Sequence, residues 1–121
     1  NSSGSVVTNI EYDYANLAVR HYTTFGEEKG TGDTYIQKLG QADQEPEGTS
    51  FVCYVFYPTD STSYTFVAWE DSYSFGSGAG GGAGIGVYTQ KDKITGFQLY
   101  AISQTRPFDN SKIRTYGIRT D

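Results

Sequence analysis

Residues 51–57 read FVCYVFY, and residues 64–69, beyond the Pro58-Thr59-Asp60-Ser61 tetrapeptide, read YTFVAW. Aromatic and β-branched side chains of this kind favour a pleated, half-buried surface. The Pro-Thr-Asp-Ser step carries turn chemistry, so the two runs are expected to form a hairpin, with 73–75 extending its second strand. The first run is apolar on both faces: Phe51, Cys53, Val55 and Tyr57 alternate with Val52, Tyr54 and Phe56. Such a strand needs cover on both sides. One side is expected to be the domain core and the other a subunit contact.

The composition agrees. Only 24 of the 121 residues are Leu, Ile, Val or Phe, and the chain has no Met. That leaves a helix stripe poorly supplied. Eleven Tyr, seven Phe and one Trp make up the apolar complement. A single all-β domain over 6–118 is expected, with a linker stub at 1–5 and a short tail at 119–121. NSSGS at the start, without Met, is what an excised C-terminal piece would have.

Alternation marks further strands at 6–14, 17–25, 34–39, 94–102 and 113–118. GEEKGTGD at 26–33 reads as a polar turn and 40–49 as an acidic loop. GSGAGGGAGIG at 76–86 is the most unusual segment. Phosphate-cradling glycine loops open a helix or carry a Lys, and neither follows here. The segment is therefore either a flexible loop or a place where backbones approach too closely for side chains. About eight strands in all are expected to build an antiparallel, jelly-roll-like β-sandwich.

Several classes are disfavoured. A net charge of −5 argues against nucleic acid. No apolar run approaches the ~18 residues of a membrane-spanning helix, and no basic-then-apolar leader is visible. The single Cys53 cannot form an internal disulfide and reads as a small buried hydrophobe. Glu70 and Asp71 are sequence neighbours and would point to opposite faces of a strand, so they do not pair for acid–base work. Glu27, Glu28 and Asp33 lack the alternating ligands of a calcium loop, and His21, the only histidine, reads as a buried structural residue. No enzyme activity, metal or cofactor is expected.

The C-terminal third has a recognisable order: GSGAGGGAGIGVY at 76–88, ITGFQLYA at 94–101, the loop SQTRPFDNS, then IRTYGI at 113–118. This resembles the C-terminal ends of bacteriophage tail-fibre and tailspike proteins, over roughly residues 50–118. Thr115 departs from the family pattern, where Leu is usual, and so does Arg106-Pro107-Phe108 in the loop. The resemblance implies a trimeric receptor-binding head at the distal tip of a fibre, made in the bacterial cytoplasm and carried on the virion.

Sugars dock their C–H faces on exposed aromatics while carboxylates, amides and guanidinium groups take the hydroxyls. Two segments mix these types: Trp69, Glu70, Asp71 and Tyr73 at a strand end, and Arg106, Phe108, Asp109 and Asn110 in a loop. Tyr22 and Tyr88 are weaker additions. The expected function is non-catalytic recognition of host cell-surface polysaccharide or lipopolysaccharide. A stand-alone lectin or carbohydrate-binding module and a purely structural trimerisation cap are the alternatives.

Overall fold

The computed structural model describes residues 5–20, 25–37, 48–75, 78–100 and 111–118. These form five strands and no helix: β1 (Tyr12–Arg20), β2 (Gly26–Asp33), β3 (Thr49–Phe56), β4 (Thr65–Phe75) and β5 (Gly78–Tyr88). They make one open antiparallel sheet in the order β2-β1-β5-β4-β3. The described residues are all-β, in line with the composition.

The 51–57/64–69 hairpin is present as β3 and β4, in register from Thr49 opposite Tyr73 to Phe56 opposite Phe66. Tyr57 enters the connection in the left-handed region at φ 57°, and the Asp60 amide donates to its carbonyl at 3.2 Å. The Asp60 carboxylate then accepts from the amide and hydroxyl of Thr62 at 2.7 and 2.6 Å. Those bonds hold the carboxyl below its ordinary pKa.

Several boundaries differ from the sequence reading. The glycine segment is no loop: 78–88 is the central strand, the close-approach alternative in its fullest form. GEEKGTGD is a strand rather than a turn. β1 supplies it with a hydrogen-bonding ladder, which asks nothing of its side chains. Its register shifts between Tyr12 and Tyr14, where the Gly32 amide donates to Asp13 Oδ1 at 2.7 Å. The two strands expected at 6–14 and 17–25 merge into one, β1. Residues 34–37, 94–100 and 113–118 alternate in sequence but are not strands. Alternation alone does not make a strand without a neighbour to pair with.

The register divides the sheet into two faces. On one, aromatic residues stand directly opposite glycines: Tyr14 and Gly30, Trp69 and Gly84, Tyr73 and Gly80. In each pair the ring lies where a glycine side chain would begin. A Cβ on Gly84 would sit 2.1 Å from the Trp69 ring, and one on Gly80 2.7 Å from that of Tyr73. Glycine removes side-chain packing from a strand, and a ring folded across the gap restores it. Ile36 covers Gly86 in the same way, so the segment after β2 crosses this face. Tyr35 and Tyr100 pack edge-on with centroids 5.4 Å apart, and the nearby Tyr12 packs against Tyr88 in a tilted arrangement with centroids 5.2 Å apart.

This ring face holds the core. Trp69 is 2% exposed, and among the described residues only Tyr73 and Tyr88 join it as buried apolar side chains. The opposite face carries Val52, Tyr54, Phe56, Phe66, Ile85, Leu17 and Val19, all exposed, from 43% at Val19 to 64% at Ile85. No second sheet covers it among the described residues.

Candidate binding site

Along β5 the residues on the open face at one end are Ala79, Gly81 and Ala83. They form a floor with almost no side chain. On one side β1 raises Leu17 and Val19, opposite Ala83 and Gly81. On the other β4 raises Glu70, opposite Ala83. The result is an open trough of about 530 Å³, apolar in its floor and one wall, with a carboxylate at the rim. It exists because backbones pack where side chains would not fit: a Cβ on Gly81 would meet the Asp71 carbonyl oxygen at 2.5 Å.

The four expected site residues of β4 are divided by the pleat. Trp69, Asp71 and Tyr73 share the ring face, where both aromatic rings are buried. At 2% exposure the Trp69 indole offers no surface for a sugar to stack on; its ring is committed to Gly84. Asp71 lies between them, its Oδ1 3.0 Å from where a Gly82 side chain would start. Of the four only Glu70 has an exposed side chain on the open face, and it reaches the trough rim, which Asp71 also lines. Arg106, Phe108, Asp109 and Asn110 lie outside the described residues, as do Tyr22 and His21.

Tyr88 is buried and structural. Its hydroxyl donates to Asp92 Oδ2 at 3.3 Å. Burial, then the negative charges of Glu11 and Asp92, push its pKa up to about 12. It borders a smaller hollow of about 240 Å³ with Asn9, Glu11, Gln90 and Asp92. Cys53, opposite Trp69, is partly buried, and burial raises its thiol pKa. That leaves less thiolate, the nucleophilic form. Among the described residues no group of three His, Cys, Asp or Glu side chains is placed to hold a metal ion.

Sequence reasoning missed Leu17, Val19, Ala79 and Ala83 as site residues. The signal was present. Gly occupies every even position from 78 to 86, a period of two that marks a strand with one bare face. No family model, no curated protein and no solved structure matches this chain.

Proposed function

We propose that this chain is the non-catalytic, receptor-binding head of a phage tail fibre, a homotrimer at the distal tip of the virion that recognises a host cell-surface glycan. The observation that carries the binding part is the open-face trough. Its aliphatic wall suits the C–H face of a sugar ring, and the exposed Glu70 carboxylate at its rim can accept two hydroxyl hydrogen bonds. Charged acceptors form the stronger class of hydrogen bond, worth roughly 1.5–3 kcal/mol each. The order of motifs in the C-terminal third supports the fibre-head part.

The test is binding of the 121-residue chain to permissive host cells and to their purified surface polysaccharide. Ala83→Leu fills the trough and is expected to abolish binding. Glu70→Gln is expected to weaken it by about tenfold, the equivalent of 1.4 kcal/mol. Absence of binding to every permissive strain, or binding unchanged in both variants, contradicts the reading. New reducing ends in the polysaccharide would contradict its non-catalytic part.

A further inference from the structure

The two walls of the trough differ in chemistry. Leu17 and Val19 stand on the β1 side, opposite Ala83 and Gly81. On the β4 side the same two floor residues face Glu70 and Ser72. Ser50 of β3, paired with Ser72, adds a second hydroxyl, and the two oxygens share a hydrogen bond at 2.9 Å. One hydroxyl of that pair donates to the other, so one O–H remains to donate outward. The polar wall therefore offers a carboxylate that accepts and a hydroxyl that both gives and takes. The apolar wall offers methyl groups alone.

Strand spacing fixes the size. β1 and β4 flank β5 at roughly 4.8 Å each, so the walls stand about 10 Å apart. From Ala79 to Ala83 the floor runs roughly 14 Å along the strand. Those dimensions suit a chain of sugar units laid along β5, each ring between the apolar and the polar wall. Among the described residues the lining holds no aromatic ring, so apolar recognition falls to the branched side chains of Leu17 and Val19. A methyl substituent on the sugar fits between them and the low floor at Gly81.

Charge narrows the class further. The charged side chains that line the trough are Glu70 and Asp71, both acidic. Two bases lie close in register but do not serve it. Lys29, opposite Ala15, pairs with Glu27 at 3.8 Å, and Arg20, opposite Gly80, belongs to the ring face. A carboxylate or phosphate on the ligand would meet like charge here.

We propose that the glycan held in the trough is a neutral chain of deoxyhexoses, sugars whose exocyclic carbon is a methyl group. The methyl lies against Leu17 and Val19, and the ring hydroxyls turn to Glu70 and the Ser50–Ser72 pair. This rests on the reading of the trough as the glycan site and names the class of sugar that the site selects. A hexose puts an unpaired hydroxyl against the aliphatic wall in place of the methyl, and a uronic acid puts a charge there.

Binding of the full chain to matched oligosaccharides tests it. Each of the manno, galacto and gluco series is offered as deoxyhexose, hexose and uronic acid, differing only at the exocyclic carbon. In the series that binds, the deoxyhexose is expected to bind about tenfold tighter than the hexose and roughly 100-fold tighter than the uronic acid. Val19→Ser is expected to bring deoxyhexose and hexose to near parity. Glu70→Lys is expected to raise the uronic acid above the hexose. Both positions are exposed, and Trp69 fluorescence reports whether each variant stays folded. Should a variant unfold, saturation-transfer NMR on the wild type decides, with the methyl protons of the bound sugar receiving the most saturation. Equal binding across a series, a preference for the uronic acid, a ratio unmoved by Val19→Ser, or methyl protons saturated no more than ring protons overturns the class of sugar and leaves the glycan site standing. Binding to host polysaccharide with none of the oligosaccharides bound does the same. No binding to either overturns the sugar class and the glycan reading together.

Discussion

The two faces of this sheet are built from the same strands, yet one is closed and the other open. On the ring face Trp69, Tyr73 and Tyr14 lie across Gly84, Gly80 and Gly30. On the open face the same glycine strand leaves a trough, and Phe66 and Ile85 stand exposed. Glycine is thus used in two ways in one strand. At Gly80 and Gly84 it seats rings, and at Gly81 it keeps a floor low. The lesson is that residues of one strand can face the core or solvent according to parity alone: Trp69 holds the core and Glu70 the rim.

The comparison breaks most visibly at Trp69. Trp69→Ala is expected to cost about 3–5 kcal/mol of folding stability, measured by urea denaturation followed by circular dichroism, because the ring face has little else buried. Gly84→Ala adds only a methyl group, but places it 2.1 Å from that ring. A loss of about 2–3 kcal/mol is expected in the same assay, since the ring must leave its seat.

A pH titration sharpens the contrast. The Tyr88 phenol has an ordinary pKa of 10.0 and one of about 12 in the fold. The raised value means the folded state holds its proton more tightly than the unfolded chain does. That stabilisation is whole below pH 10, declines between 10 and 12, and is gone above. The loss should be on the order of 2 kcal/mol, and Tyr88→Phe should remove most of the dependence, leaving the part due to Tyr12, Tyr14 and Tyr100, whose phenol pKa values burial also raises. The smallest effect belongs to the open face. Ile85→Thr, at a dilution that keeps the chain monomeric, is expected to change stability by no more than about 0.5 kcal/mol.

The β3–β4 hairpin was legible because apolar, β-branched and aromatic residues flank an unambiguous turn at 58–61. β2 was hidden, since GEEKGTGD carries turn residues throughout and becomes a strand only through the ladder of β1. The segments 94–100 and 113–118 misled in the opposite direction. Their alternation is real, but no edge of their own sheet takes them. Glu70, read from the sequence as a candidate ligand carboxylate, stands at the trough rim, whereas its neighbour Trp69, read as a sugar platform, is held over Gly84. Parity could be applied only once Gly78–Tyr88 was known to be a strand, and the glycine count obscured that.

The seated rings and the trough both depend on β5 being the ordered centre of the sheet. Amide hydrogen exchange over 78–88, resolved residue by residue, tests this most directly. The account predicts that these glycine amides, hydrogen-bonded to β1 and β4 on either side, exchange as slowly as those of Val67 and Trp69 in β4. Exchange at the rate of a solvated loop would contradict it, and with it both the seated rings and the trough.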